Sequence, residues 1–289
     1  MSTLADRLFV AIQYVLPARA IGAVVHRLAR SRRPWLKNAL IRAYTRVFAV
    51  DEAEMDRARA VDYPSFNAFF TRALRPGARP IDADPQGICS PADGRVQQSG
   101  QVSGGRILQV KGTTFSAAGL LGAEPEAVAP FDGGAFLTIY LAPRDYHRVH
   151  APLDGTLRRM HFIPGARFSV NSTTTDAIPG LFARNERLAC LFDGGPTPWW
   201  LVFVGAMNVA SISTVWAGEI AGSREPRREV YDPASAPALA KGDPLGQFNL
   251  GSTIIAIFPQ GRAVLDPSLA PGRALAVGER IGSLRRTGT

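Results

Sequence analysis

A chain of 289 residues, 46% hydrophobic and 20% charged, can bury one large core and is not a disordered tail. Its two cysteines, Cys89 and Cys190, exclude a disulfide framework and lack metal-ligand spacing, so both read as small buried apolar residues suited to a reducing compartment. The net charge of +9 is concentrated: residues 1–50 hold nine Lys or Arg against the single acid Asp6, a net of +8, which points to nucleic acid or a membrane surface as partner.

Leu4, Leu8, Ile12 and Val15 recur at helical spacing between Thr3 and Leu16, and Pro17 ends that segment. Ile21, Val24, Val25 and Leu28 repeat the pattern up to Arg30, and Leu36, Leu40, Ile41, Tyr44, Val47 and Phe48 do so between Pro34 and Val50. Three amphipathic helices with arginine-rich polar faces, and Trp35 and Tyr44 at hand, suit an interfacial membrane anchor. The competing reading packs the same stripes on the main domain. Arg7 and Arg19 flank an apolar stretch without a small-residue cleavage site, so no cleavable signal is expected. The long uncharged run from Trp199 to Gly218 approaches a transmembrane length, but Gly205, Asn208, Ser211, Ser213 and Thr214 interrupt it, and two buried strands fit it better.

Phe66 to Arg72 reads as a last short helix, ending before Pro76-Gly77 and Pro80. After it the texture changes to short strand-like runs between Gly, Pro and Asp: 95–98, 106–110, 135–140, 156–162, 200–204, 211–216 and 253–258. Residues 273–277 and 279–282 add a strand, a Gly turn and a strand at the end. The expected fold is α+β, a predominantly antiparallel β barrel or sandwich core behind an N-terminal amphipathic helical region. The expected division is a membrane-association region at 1–60 and a β-rich catalytic domain at 61–289.

Three stretches carry candidate chemistry. Pro143-Arg144-Asp145-Tyr146-His147-Arg148-Val149-His150 holds two histidines three apart. They could share a helical face as metal ligands, but no third ligand is in view, and a general base is the stronger reading. Ser90-Pro91-Ala92-Asp93-Gly94 puts an aspartate in a turn before a strand, where it could satisfy its own backbone or orient a histidine. Gly251-Ser252, between Phe248-Asn249-Leu250 and a β-branched run, gives a serine hydroxyl one residue downstream of an unhindered carbonyl. Such a pair can be a plain turn or the site of a backbone N-to-O acyl shift.

Together these stretches resemble the bacterial, membrane-associated, pyruvoyl-dependent phosphatidylserine decarboxylase family. The matching segments run in the family's order: Phe66-Asn67-x-Phe69-Phe70-x-Arg72, the Ser90–Gly94 turn, Pro143–His150, Phe168-Ser169-Val170-Asn171, Arg184-Asn185-Glu186-Arg187, Val204-Gly205-Ala206-x-x-Val209-x-Ser211-Ile212 and Leu250-Gly251-Ser252-Thr253. The resemblance implies a proenzyme that cuts itself between Gly251 and Ser252 into a large chain, 1–251, and a small chain, 252–289. Asp93 would orient His150, and His150 would take the Ser252 hydroxyl proton. Ser252 would end as a pyruvoyl cofactor that condenses with the substrate amine and takes up electrons as CO₂ leaves. His147 is the candidate proton donor in decarboxylation, and no metal is implied.

The implied partners are phosphatidylserine and an anionic membrane surface, with the two chains held as a heterodimer, a higher oligomer left open and no nucleic acid. The implied location is peripheral, on the cytoplasmic side of the cell membrane. Two other readings compete: a serine hydrolase using Asp93, His150 and Ser252, which lacks a Gly-x-Ser-x-Gly elbow, and a non-enzymatic membrane-binding module. Asn249 has no assigned role, and Asn208 is either a satisfied core amide or a substrate contact. This division of labour predicts that removing residues 1–50 abolishes binding to lipid surfaces and leaves self-cleavage intact.

Overall fold

The computed structural model describes residues 3–110, 112–206, 211–220, 224–250 and 252–285, with the backbone alone for Ser252. Asn208 and Gly251 therefore lie outside the described residues. Three helices open the chain: α1 (Leu4–Val15), α2 (Ala18–Ala29) and α3 (Pro34–Val47). Thr3 and Asp6 form a reciprocal capping box that starts α1, and Pro34 supplies the preset φ of a first helical turn to α3. A short α4 (Phe66–Phe70) follows, capped by Ser65 Oγ accepting from Ala68 N.

The apolar stripe of α1 does not pack on the body. Leu4, Leu8, Ile12 and Val15 point outward, Leu4 at 83% and Val15 at 80% exposure, while Gln13 on the inner side is buried and accepts from Ser169 N (2.8 Å). Val24, Leu28, Trp35 and Val47 extend the exposed apolar set over α2 and α3. No single helix is long and apolar enough to cross a membrane; α1 and α2 pass that test only as a pair bent by 88°.

The body is antiparallel β, as its strand patterns require. The largest sheet runs, in spatial order, Arg227–Val230, Gly155–Ile163, Arg187–Asp193, Trp199–Gly205, Ser252–Ile257, Ala135–Leu141, Gly94–Gln101 and Ala274–Leu275, with Ala238–Leu239 also paired to the Gly155–Ile163 strand. A second sheet runs Gly218–Ile220, Ile212–Thr214, Pro244–Phe248 and Arg148–His150. Two smaller sheets complete the fold, and no sheet closes into a barrel among the described residues, so the sandwich half of the expectation holds. Among its described residues the uncharged 199–218 run holds the strands Trp199–Gly205 and Ile212–Thr214, in different sheets, and Gly218 begins the Gly218–Ile220 strand. The Arg187–Asp193 strand escaped the pattern reading, because its Leu-Ala-Cys-Leu-Phe interior has no alternation and few β-branched residues.

One feature of register places the site. Ser252 pairs with Leu141 on one side and Gly205 on the other, forming a row at one end of the large sheet. From there two of the three strands continue along the chain into the second sheet. Leu141 leads on to Arg148, and Gly205 leads on to Ile212, while Ser252 is reached from Phe248. Phe248 pairs with Ile212, and its neighbour Gln247 pairs with Arg148. The Phe203 and Phe248 rings, 5.4 Å apart, pack across the two sheets. Ser252 is thus at the seam where neighbouring strands leave one sheet for the other.

Candidate active site

The turn that carries both histidines begins directly after Leu141, the residue opposite Ser252. His147 is fully buried. Its Nδ1 lies 2.8 Å from Asp145 O, a pure acceptor, so Nδ1 carries the proton and Nε2 is bare. That Nε2 has no partner among the described residues. Burial drives the imidazole pKa down to about 3, so His147 is neutral at pH 7. The Phe70 ring of α4 covers it at 4.1 Å.

His150 has the same tautomer for the same reason. Its Nδ1 donates to Gly242 O (2.8 Å), and Nε2 accepts from Tyr146 Oη (3.0 Å). Burial lowers its pKa, opposed by the Gly242 carbonyl and by the negative charge of Asp93. It is therefore a neutral acceptor at Nε2, the protonation state a general base needs. Tyr146, whose own pKa burial pushes up to about 12, is a donor here throughout the physiological range.

Asp93 sits in the same turn as Pro91, whose carbonyl accepts from His150 N (2.8 Å). Its carboxylate is occupied by Arg79, which donates from Nε (2.9 Å) and Nη2 (2.6 Å), and by Val277 N (2.8 Å). The other edge of the Arg79 guanidinium clamps Glu54 at 2.8 Å twice, which holds that carboxyl below its usual range, and the bonds to Asp93 first and Glu54 second push Arg79 up. Asp93 thus acts on His150 through its field, while a backbone carbonyl holds the ring. Asp93 does not satisfy the backbone of its own turn, since the backbone group it accepts from is the distant Val277 N, and among the described residues His150 is hydrogen-bonded to Gly242 and Tyr146 rather than to Asp93.

A polar cavity opens beside these groups, lined by Arg72, Arg79, Asp93, Arg144, Asp145 and Tyr146 among others. Arg72 is buried, donates from Nη2 to Arg144 O (3.1 Å) and lies 5.6 Å from the Phe69 ring centroid. Its Nε and Nη1 have no partner among the described residues. Burial lowers the Arg72 pKa.

The structure therefore brings Asp93, His147, His150 and the Ser252 backbone to one end of the large sheet. Gly251 and the Ser252 side chain lie outside the described residues. Sequence reasoning missed Arg79 and Tyr146, the direct partners of Asp93 and His150. Tyr146 lay inside a quoted motif, whereas nothing in Pro76-Gly77-Ala78-Arg79-Pro80 distinguishes Arg79 from a surface arginine. It also passed over Asn249, which is 1% exposed and fully bonded: Nδ2 donates to Ser211 Oγ (2.8 Å) and Ser213 Oγ (3.0 Å), and Oδ1 accepts from Asn67 (3.1 Å).

Known proteins show the same arrangement of sequence. The family described as phosphatidylserine decarboxylase matches residues 66–283, and a profile described as PSD matches residues 8–49. A phosphatidylserine decarboxylase proenzyme of Stutzerimonas stutzeri is 50% identical over 283 residues, covering 96% of this chain and 94% of the relative. Those of Azotobacter vinelandii (50% identical; 96% and 98% covered) and Methylococcus capsulatus (44% identical; 99% and 99% covered) match as fully. With helices, histidine turn and Gly251-Ser252 all inside these matches, the chain belongs to the phosphatidylserine decarboxylase family.

Proposed function

We propose that this chain is a self-processing, pyruvoyl-dependent enzyme that converts phosphatidylserine to phosphatidylethanolamine and CO₂ at a membrane surface. The observation that carries the reading is the pairing of Ser252 with Leu141, whose strand runs straight into the turn holding His147 and His150.

Self-cleavage begins with the Ser252 proton passing to His150 Nε2, for which Tyr146 must yield its place or relay the proton. The positive imidazolium so formed is stabilised by the charge of Asp93. The serine oxygen bonds to the Gly251 carbonyl carbon as the peptide C–N bond breaks, giving an ester and a free amine. Elimination across Cα–Cβ of residue 252 expels the Gly251 carboxylate, and water then replaces the nitrogen, which leaves as ammonia. The large chain ends at Gly251, and the small chain keeps 38 residues, 252–289.

The residues present fit the pyruvoyl group at position 252, because an orphaned buried acceptor, His147 Nε2, lies in the same corner of the fold. When formed, that group supplies a ketone that captures the substrate amine and takes up the electron pair released with CO₂. His147 would move a proton. As a neutral acceptor it takes one from the substrate ammonium and returns it to the carbon that has lost CO₂. The exposed apolar faces of α1–α3, flanked by arginines, would rest in the headgroup region of an anionic leaflet, on the cytoplasmic side of the cell membrane.

The test is a denaturing gel and intact mass of the purified protein beside a Ser252→Ala variant. The wild type should give two chains with a pyruvoyl mass on the smaller, and the variant one uncut, inactive chain. A wild-type chain that stays whole and decarboxylates phosphatidylserine at full rate refutes the reading.

A further inference from the structure

Leu250, immediately before the scissile pair, has φ +96°, and among the described residues it is the one non-glycine with positive φ. A leucine there places its Cβ against its own backbone, a cost that persists only where the surroundings over-determine the conformation. The surroundings do so. Leu250 is 7% exposed and belongs to a cluster, separate from the main core, with Phe66, Phe69 and Phe70 of α4, Ile41 of α3 and Ala29 of α2. The body supplies the strand that follows; the helices supply the socket for this side chain.

The residue before it is held from the same direction. Asn249 is gripped by Asn67 of α4 and by Ser211. Ser211 Oγ in turn donates to Glu219, and Arg30 of α2 donates to the same Glu219 oxygen (2.8 Å). Burial would raise the Glu219 carboxyl, but the bonds from Arg30, Ser211 and His26 outweigh it and hold the pKa at about 2, so the link stays charged. One apolar and one polar line therefore run from the N-terminal helices to the two residues that lead into the bond.

We infer that the helical layer clamps Asn249 and Leu250, and that these are positioning residues which hold the Gly251 carbonyl under torsion for attack by Ser252. The inference rests on reading Gly251–Ser252 as the scissile bond. A pinned Leu250 fixes where the chain enters Gly251 and the paired Ser252 fixes where it leaves, so only the Gly251 torsions remain to aim its carbonyl. Strain held there is released when the C–N bond breaks, so it favours cleavage over the resting precursor. The N-terminal region is then not a detachable anchor: its outer faces are free, and its inner faces serve the self-cleavage reaction.

The test follows cleavage of the full-length precursor with time after cell-free synthesis, for wild type, Leu250→Met, Leu250→Gly and Ile41→Ala, beside Ser252→Ala. Leu250→Met keeps the anchor and should cut within about twofold of wild type, whereas Leu250→Gly, free of strain and socket, should cut about tenfold more slowly. Ile41→Ala, placed in α3, should slow cleavage by about threefold or more by loosening the socket. The strain has its own readout in uncut Ser252→Ala protein. There Leu250→Gly should lower Tm less than Leu250→Ala, although it removes more side chain, because glycine accepts φ +96° freely. Wild-type cleavage rates in Leu250→Gly or Ile41→Ala, or a larger Tm loss for glycine than for alanine, overturn the clamp. A Ser252→Ala chain that is still cut overturns the reading of the bond itself, and the clamp with it.

Discussion

His147 should make the uncut protein acid-sensitive by an amount that can be worked out. In the unfolded chain its imidazole titrates at 6.5, and in the fold burial holds it near 3. The native value is the lower one, so the unfolded state binds the proton first as pH falls. Above pH 6.5 both states are neutral and nothing is lost; below it, stability falls by about 1.4 kcal/mol per pH unit until the native pKa is reached. At pH 5 the loss from this one group is about 2 kcal/mol. His150 and His161, also lowered by burial, add to the total in the same direction. The His147 share is isolated by comparing urea unfolding of Ser252→Ala with Ser252→Ala/His147→Gln at pH 7.5, 6 and 5, since the other histidines cancel in the difference. The difference between the two stabilities should shift by about 2 kcal/mol in favour of the glutamine variant between pH 7.5 and pH 5. Parallel curves would mean that His147 titrates normally, and would remove the argument that it begins each turnover as a neutral acceptor.

Two further outcomes follow from the same geometry. Arg79→Ala removes the charge partner of Asp93, whose side chain is 9% exposed, and leaves it only the Val277 N–H; it should cost about 3 kcal/mol in the Ser252→Ala background by thermal unfolding while slowing self-cleavage in the Ser252 protein. Arg79→Lys should rescue little of either, because an ammonium cannot grip Asp93 and Glu54 edge by edge. Leu8→Asp/Ile12→Asp, on the outward face of α1, should weaken binding to phosphatidylglycerol-containing vesicles by roughly tenfold or more in a sedimentation assay and leave the cleavage rate unchanged.

The fold was legible where side-chain patterns are local. Apolar spacing located all four leading helices, and the β-branched run after Ser252 became a strand with partners on both sides. The site was legible as residue types in motifs, and Asp93, His147 and His150 do converge. Its wiring was not. Arg79 reaches Asp93 across fourteen residues, and Gly242 reaches His150 across ninety-two, so no local pattern records either bond. Asn249 looked like a neutral departure from the motif because its partners, Asn67, Ser211 and Ser213, are set by tertiary packing alone. That Leu250 and Ile41 share a cluster was equally illegible, since nothing in either sequence neighbourhood names the other.

The position of Ser252 at the seam between sheets also accounts for how the proposed cut would be made without dismantling the fold. Residues 252–257 pair along their whole length with both Phe136–Leu141 and Trp200–Gly205, so the strand that begins the small chain is central in the large sheet. The Arg280–Leu284 strand, near its other end, lies between Gly87–Cys89 and Ala263–Leu265 in one of the smaller sheets, of three strands. Breaking the Gly251–Ser252 peptide would leave the ladder from Thr253 to Ile257 in place on both sides. What it would remove is the covalent tie that, together with the helical socket, holds Leu250 at φ +96°. The small chain stays seated because both its ends are woven into sheets, while the large chain's new end is free to relax into an ordinary backbone conformation. That relaxation opposes resealing, and the ester's breakdown with loss of ammonia completes it: the same strain that favours the first cut makes the return less favourable.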